Sequence, residues 1–261
     1  MKLRLLILLV ISVVQLSNAA DDSLLAVLKG EWASRQWVSI LKESSSPRDA
    51  MNKARNNKIV IFEKEGDHYS AGIMYNGGHE GDKREFSTIV KKTPAEYALL
   101  DCHAYTDEDG NNVIDSSLIG NIVFSANRNM AYFNIGMSMF SVNDTMIKIH
   151  PSLTSFINNN TICGNYQDDL GRRYKFYPDG NFDWAGVNCK YWVLLDYVLE
   201  RNDVVYVENA EKTNKVPWIF QRNEDDLYLY QVKKSEENEG YDKDGSPLKL
   251  RRISKKQNSK Q

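Results

Sequence analysis

The stretch Pro217–Val232, PWIFQRNEDDLYLYQV, decides how the rest of this chain is interpreted. Two apolar runs, Trp218–Phe220 and Leu227–Tyr230, flank a polar turn at Arg222–Asp226. Short runs of apolar and aromatic residues on either side of a polar turn are typical of paired antiparallel strands. The stretch therefore predicts a β-hairpin.

A similar hairpin stands about ninety residues earlier, at Asn121–Ile135, NIVFSANRNMAYFNI. Its Ile122–Phe124 matches Trp218–Phe220, and its Tyr132–Phe133 matches Tyr228–Leu229. Two copies of one hairpin indicate two copies of one domain. A repeat of this kind is usually the clearest sign of domain organisation in a single sequence.

The first residues have the pattern of a secretory signal peptide. Lys2 and Arg4 precede the apolar run Leu5–Val14, and the small residues of Ser17–Ala20 suit a signal peptidase. The apolar run is shorter than the roughly 20 residues that cross a bilayer. We therefore expect residues 1–20 to be removed, the protein to be secreted or periplasmic, and no transmembrane segment after cleavage.

The remaining chain of roughly 240 residues fits two domains. We predict an N-terminal domain at 21–150, a linker at 151–161 rich in Ser, Thr and Asn, a C-terminal domain at 162–254 and a basic, disordered tail at 255–261. The charges nearly balance, with 33 Lys and Arg against 35 Asp and Glu. No global field selects nucleic acid as a partner.

Each half contains eight candidate strands separated by turn residues. In the first half they are the Trp32 segment, Ile59–Glu63, His68–Tyr75, Phe86–Val90, Tyr97–Tyr105, Leu118–Ser125, Met130–Ile135 and Thr145–His150. In the second half they are Gly164–Gln167, Arg173–Tyr177, Asn181–Ala185, Tyr191–Glu200, Val204–Glu208, Pro217–Gln221, Leu227–Val232 and Leu248–Ile253.

The predicted fold class is all-β, with one short helix near 46–57 that Ser46 and Pro47 would start. Strands that follow one another without long helical crossovers favour an antiparallel meander closed on itself, because closure removes exposed edges. We expect two consecutive eight-stranded barrels or meanders. A barrel of this size holds a packed core or one small ligand.

The motif Gly30-Glu31-Trp32 is similar to the Gly-x-Trp that opens the first strand of lipocalins and other calycins. Gly164-Asn165-Tyr166 looks like a degenerate second copy. The resemblance implies that Trp32 and Tyr166 are structural residues of the barrel floor, across which a basic residue packs. Arg128 and Arg222 are the possible counterparts. The alternative is an unrelated β-sandwich with ordinary core aromatics at both positions.

Export places the three cysteines in an oxidising compartment. Cys163 and Cys189 would close a loop of about 27 residues, which the chain-entropy model relates to roughly 3 kcal/mol of stability. We predict this disulfide as a structural element. Cys102 lies in an apolar strand pattern and is expected to be a buried, unreactive thiol, although pairing with the second half stays open.

A weak calcium candidate follows the predicted strand Tyr97–Tyr105. Its oxygen ligands would be Asp107, Asp109, Asn111 and Asp115. The loop is incomplete, because Asn112 replaces the turning glycine and Leu118 the bidentate glutamate. The alternative is a solvated loop. No other metal site or cofactor is expected.

Five aromatic residues of the second half could line a pocket: Trp184, Trp192, Tyr206, Trp218 and Tyr228. They favour an exported, noncatalytic binding protein for a small apolar ligand. The alternative is a secreted interaction or inhibitor module acting through exposed loops on an extracellular protein. A secreted hydrolase ranks third, because Gly136-Met137-Ser138-Met139-Phe140 lacks the second glycine of a nucleophile elbow. No catalytic residue is predicted.

Overall fold

The computed structural model describes residues 26–253 apart from 56, 66–67, 76–78, 87, 107–111, 137–140, 196–199, 210–211 and 237–239. For 65, 68, 73, 75, 79–86, 88, 101–106, 112–117, 209 and 212–214 it describes the backbone alone. The protein is all-β with two consecutive domains, as the sequence predicts. No helix among the described residues is long and apolar enough to span a membrane.

The first sheet has nine strands rather than the eight expected. They are β1 (Gly30–Ser34), β2 (Ile59–Glu65), β3 (His68–Tyr75), β4 (His79–Phe86), β5 (Thr88–Lys91), β6 (Glu96–Thr106), β7 (Asn112–Phe124), β8 (Met130–Ile135) and β9 (Val142–Lys148). Their order is β4-β3-β2-β1-β9-β8-β7-β6-β5. Over the described residues β4 and β5 are the two edges, so this sheet is a half-barrel, the open form among the expected barrels or meanders.

Period-two burial shows which face of the first sheet forms the core. On β8 the side chains of Ala131, Phe133 and Ile135 are buried, and those between them are more exposed. The Phe133 ring lies 5.2 Å from the Trp32 ring and 5.5 Å from the Phe62 ring, centroid to centroid. Aromatic rings from three strands therefore meet on one face, as alternation along each strand requires.

The second sheet is the closed, eight-stranded antiparallel barrel that the sequence predicts. Its strands are β10 (Gly164–Gln167), β11 (Arg173–Phe176), β12 (Asn181–Trp184), β13 (Val187–Val193), β14 (Val204–Asn209), β15 (Lys212–Asn223), β16 (Asp226–Lys234) and β17 (Tyr241–Arg252). Each strand pairs with the next in sequence. Pairing of Tyr166 with Arg252 between β10 and β17 closes the ring.

The interior of the barrel is filled by large side chains. Phe176 and Phe182 stack with their ring centroids 3.8 Å apart, and Tyr191 meets Phe176 edge-on at 5.2 Å. The buried interior side chains, each at most 2% exposed, include Tyr166, Tyr174, Phe176, Phe182, Tyr191, Phe220, Leu227, Leu229 and Leu250. A barrel of eight strands is just wide enough for such filling, so this lumen is a packed core.

Residues 26–28 are helical, and the described part of the chain has three further helices outside the sheets, whereas the sequence predicts one. They are α1 (Arg35–Ser44), α2 (Pro47–Lys53) and α3 (Leu153–Asn160). The predicted helix near 46–57 is α2, and Ser46 Oγ accepts a hydrogen bond from Asp49 N at 2.9 Å as its cap. The expected linker 151–161 contains α3, which starts because Ser152 Oγ accepts from Ser155 N.

The chain divides into two compact units. One contains the described residues up to Trp32, Ile59–Ile73 and Gly81–Lys148; the other contains Ala33–Lys58, Met74–Glu80 and the chain from Ile149 onward. The helices α1 and α2 thus belong to the unit of the barrel. Within that unit, Arg48 N donates to Asp203 Oδ1 at 2.9 Å, and Arg48 Nη1 donates to the Glu200 carbonyl oxygen.

Both repeated stretches are hairpins, but their registers differ. In the first, Ile122 pairs with Phe133, whereas in the second Phe220 pairs with Leu229 across a two-residue turn. In the alignment given above, Ile122 corresponds to Trp218 and Phe133 to Leu229. The second hairpin would therefore pair Trp218 with Leu229 if the registers were equal, but the partner of Leu229 is Phe220, two residues further along. A shift by two keeps each side chain on its face of the sheet, because successive residues alternate.

The predicted disulfide is absent, and Cys163 and Cys189 are both free thiols. Cys163 immediately precedes β10 and Cys189 lies on β13, with β11 and β12 between them in the wall. Three strand steps of about 4.8 Å place the two residues about 14 Å apart around the wall, whereas a disulfide needs Cα atoms within about 7 Å. The number of residues between Cys163 and Cys189 did not indicate this distance.

Candidate functional site at the mouth of the barrel

The two ends of the barrel differ in what covers them. At the end that carries Gly164, Asn158 of α3 is buried, and its Nδ2 donates to the Pro178 carbonyl oxygen at 3.0 Å. Thr161 and Ile162, which connect α3 to β10, are fully buried. Helix α3 therefore packs over this end.

The opposite end presents apolar side chains to solvent, and we call it the mouth. Trp184 follows Phe182 by two residues on β12, so both side chains face the lumen. Trp218 precedes Phe220 by two residues on β15, so these two side chains also face the lumen. The two indole rings are half-buried, with centroids 5.4 Å apart. The mouth is formed by Leu170, Trp184, Val187, Val216 and Trp218.

The aliphatic residues of the mouth are unusually exposed for their type. Val187 is 46% exposed and Val216 is 49% exposed, although both alternate in phase with buried residues of their strands. Leu170, in the turn between β10 and β11, is 78% exposed. Contiguous exposed apolar side chains mark binding surfaces, and Val187 is contiguous with Trp184, its partner in the pairing of β12 with β13.

The floor beneath the tryptophan pair is closed. The Trp184 ring meets Tyr174 at 5.6 Å and Phe182 at 5.2 Å, both edge-on. Tyr174 and Phe182 are at most 2% exposed. A ligand at the mouth would lie on the indole rings rather than enter the lumen.

The turn that carries Leu170 is held by a buried carboxylate. Asp168 Oδ1 accepts from the backbone N of Leu170 at 3.0 Å and of Arg172 at 2.8 Å, and Oδ2 accepts from Arg172 Nε at 2.6 Å and Tyr174 Oη at 3.0 Å. Burial by itself raises the pKa of Asp168, but the hydrogen bonds from Arg172 and Tyr174 outweigh it, so the pKa is lowered. The turn is thereby fixed with Leu170 outward.

Two of the five predicted ligand residues stack on the outer wall instead. Trp192 lies between the buried Tyr191 and Val193, so it faces away from the lumen. Its ring is parallel to that of Tyr206 at 5.6 Å, and Lys215 Nζ lies 4.7 Å from the Trp192 centroid. Burial, followed by a hydrogen bond with Tyr241, raises the pKa of Tyr206 to about 12.

Tyr228 also lies on the outer wall, between the buried Leu227 and Leu229 of β16. Its hydroxyl is 3.4 Å from Asp226 Oδ2, and Lys249 Nζ is 5.6 Å from its ring centroid. Lys249 also forms an ion pair with Asp226 at 2.8 Å. The structure therefore brings only Trp184 and Trp218 of the predicted set together at the mouth.

The predicted structural residue Trp32 is fully buried, and its Nε1 donates to the Leu28 carbonyl oxygen at 2.8 Å. Lys148 Nζ lies 5.6 Å from the Trp32 centroid and donates to the Val27 carbonyl oxygen. Arg128 is exposed, in a turn with φ of 55°. Lys148, not Arg128, is thus the basic residue packed across Trp32, and burial lowers the pKa of Lys148.

Tyr166 has the corresponding arrangement in the barrel. It is 1% exposed, and its hydroxyl donates to the Ile162 carbonyl oxygen at 3.1 Å. Arg222 Nη1 donates to the Thr161 carbonyl oxygen at 3.0 Å. Arg222 lies on β15, whereas the sequence analysis had placed it in a turn.

Several predicted residues lie outside the description. Asp107, Asp109, Asn111 and Ser138 are not among the described residues, and for Asp115 and Cys102 only the backbone is described. In the part of the chain with described side chains, no three His, Cys, Asp or Glu residues are grouped to hold a metal ion. The calcium candidate and the Cys102 thiol stay predictions.

Sequence reasoning missed Leu170, Val187, Val216 and Asp168. Val187 and Val216 lie on β13 and β15 but outside the predicted strands Tyr191–Glu200 and Pro217–Gln221, so the sequence analysis did not assign them to a face of the barrel. Leu170 in Asp169-Leu170-Gly171 had one signal, an apolar residue within a polar turn.

In comparisons with known proteins, no family model, curated protein or solved structure matches the chain.

Proposed function

We propose that this chain is an exported, noncatalytic binding protein of lipocalin-like form that holds a small apolar ligand at the mouth of its barrel. The observation that carries the proposal is the half-buried pair Trp184 and Trp218, stacked over a closed floor within a rim of exposed aliphatic side chains. The chain topology supports the lipocalin-like form, because eight sequential antiparallel strands close with Gly164-Asn165-Tyr166 at the start of the first.

The chemistry of the mouth favours an apolar ligand. Each Å² of apolar surface removed from water contributes about 25 cal/mol, and indole rings supply large, rigid contact areas. Because the lumen is packed, only one face of such a ligand can contact the protein. We expect weak, reversible binding of a flat or flexible apolar molecule, in contrast to enclosed carriage.

A fluorescence titration with a medium-chain fatty acid tests the proposal, because ligand contact changes indole emission. Trp218→Ala removes half of the ring pair and should weaken binding about tenfold or more, whereas the matched control Trp192→Ala removes an indole from the outer wall and should not. Val216→Asp should also weaken fatty-acid binding, because it adds a charge at an exposed position of the rim. The proposal fails if Trp192→Ala weakens binding as much as Trp218→Ala does.

A second candidate is a protein-interaction module, which the 78% exposure of Leu170 favours. An apolar side chain at the tip of a fixed turn resembles the anchor of a protein interface. Under this second candidate, Leu170→Asp abolishes chemical crosslinking to an extracellular partner, and the wild-type chain shows no saturable binding of a medium-chain fatty acid. Crosslinking that persists in Leu170→Asp would exclude Leu170 as the anchor.

A further inference from the structure

A second recess lies in the unit of the barrel, away from the mouth. It is open and encloses about 610 Å³ between the turn that joins α1 to α2, the chain just before β14, and the strands β15 and β16. Small-molecule sites commonly have volumes of about 300 to 1,000 Å³. Its lining is largely polar and includes Ser45, Arg48, Arg201, Arg222 and Tyr230.

Arg222 is the best defined cation of this recess. Its Nη1 donates to the Thr161 carbonyl oxygen at 3.0 Å and lies 3.5 Å from Ser45 Oγ, while its Nε donates to the Glu224 carbonyl oxygen at 3.2 Å. All these acceptors are neutral, so they orient the guanidinium without cancelling its charge. Nη2 donates to none of the described residues, which leaves two N–H groups for a ligand.

Two carboxylates also line the recess, and each already accepts a hydrogen bond from another group. Asp203 Oδ1 accepts from Arg48 N at 2.9 Å. Asp49 Oδ2 accepts from Lys53 Nζ at 2.6 Å, an ion pair with a residue outside the lining. The recess is therefore lined by three arginines, Arg48, Arg201 and Arg222, and by two carboxylates, Asp49 and Asp203, which gives a formal excess of one positive charge.

We propose that this recess binds the oxyanion group, phosphate or carboxylate, of a small molecule. Arginine suits this role because its planar fork of donors matches both groups and keeps its charge at any physiological pH. Arg222 and Arg201 approach from β15 and from the chain before β14, and the hydroxyl of Ser45 supplies a neutral donor or acceptor beside Arg222. This site is independent of the mouth and of its apolar ligand.

Isothermal titration with pyrophosphate and with citrate, at matched ionic strength, tests the proposal on the full chain. We expect saturable 1:1 binding of at least one anion; pyrophosphate alone would identify a phosphate site, and citrate alone a carboxylate site. Arg222→Gln should weaken the affinity about tenfold, because it removes a charged donor. Arg173→Gln, an exposed arginine of β11 outside the lining, is the matched control and should bind as the wild type does.

Arg201→Gln keeps the proposal testable if Arg222→Gln unfolds, because Arg201 is exposed. It too should weaken binding several-fold, without a shift in the thermal midpoint. The proposal is overturned if neither anion binds the wild-type chain. It is also overturned if Arg201→Gln and Arg173→Gln bind with equal affinity, since binding would then be non-specific.

Discussion

Trp32 and Tyr166 each donate a side-chain hydrogen bond to the carbonyl oxygen four residues upstream. Trp32 Nε1 lies 2.8 Å from the Leu28 oxygen, and Tyr166 Oη lies 3.1 Å from the Ile162 oxygen. Each aromatic residue thus ties the segment before a first strand to the buried face of that strand. The Gly-x-Trp motif and its degenerate copy perform the same structural task in the two domains.

The likeness extends to one further contact in each domain. A basic side chain donates to the carbonyl oxygen five residues upstream of the aromatic residue, Lys148 to Val27 and Arg222 to Thr161. The two bases come from different positions in their sheets, since β9 is adjacent to β1 whereas β15 is not adjacent to β10. The contact is therefore preserved although the strand that provides it differs.

Tyr166→Phe should destabilise the protein by about 1 kcal/mol, because it leaves the buried Ile162 carbonyl oxygen without this donor while keeping the ring. Denaturant unfolding monitored by circular dichroism measures the difference. Tyr132→Phe is the control, since Tyr132 is 43% exposed and water replaces its lost hydrogen bond. Equal stability of Tyr166→Phe and wild type would refute the importance of the contact.

The carboxylate of Asp168 predicts a pH dependence. Its pKa is lower in the folded protein than the ordinary value of about 3.9, so its contribution to stability is present above that value and is lost as the pH falls through the folded pKa. The difference in unfolding free energy between wild type and Asp168→Asn should therefore be largest near neutral pH and shrink below about pH 4.

The neighbouring Asp169 is exposed and provides the control for that series. Asp169→Asn should keep the unfolding free energy at neutral pH within about 0.5 kcal/mol of the wild-type value, as is usual for surface changes. A wild-type advantage over Asp168→Asn that stays constant from neutral to strongly acidic pH would show that the charge of Asp168 is not involved.

A matched pair of valines tests the packing of the barrel wall. Val204 is fully buried and Val216 is 49% exposed at the mouth. Val204→Ala should cost about 2 kcal/mol of unfolding free energy, because it removes two buried methyl groups. Val216→Ala should stay within about 0.5 kcal/mol, as is usual for surface changes. Equal losses in thermal or denaturant unfolding would contradict the exposure of the mouth.

The thiols provide a direct chemical check of the barrel's strand order. Under denaturing, non-reducing conditions we expect a thiol reagent to label both Cys163 and Cys189, because the positions just before β10 and on β13 are too far apart to be bridged. Peptide mapping after labelling gives the answer. A peptide pair linked through Cys163 and Cys189 would contradict the arrangement of strands described above.

The sequence predicts the barrel well because its strands are short, sequential and separated by explicit turns. Pro178-Asp179-Gly180 marks the turn between β11 and β12, and Gly180 has φ of 86° there. Local signals of this kind determine elements that pair with their neighbours in sequence.

What the sequence does not predict depends on distant packing. Strand β4, HEGDKREF, is too polar to be recognised as a strand. Helix α1 has its buried Trp37, Val38 and Leu41 at helical spacing, yet it follows a strand directly. The mouth was missed because exposure of Val187 and Val216 depends on where the packed layers end. The predicted disulfide was wrong because the separation of two cysteines in sequence does not give their distance across the intervening strands.

The central claim is that an apolar ligand contacts Trp184 and Trp218 at the mouth. The most direct measurement follows the indole N–H resonances of the five tryptophans by NMR during titration with a medium-chain fatty acid. We predict that the resonances of Trp184 and Trp218 shift together and saturate, while those of the fully buried Trp32 and Trp37 and of Trp192 on the outer wall stay in place. Shifts confined to Trp192, or no saturable shift at any indole, would contradict the account.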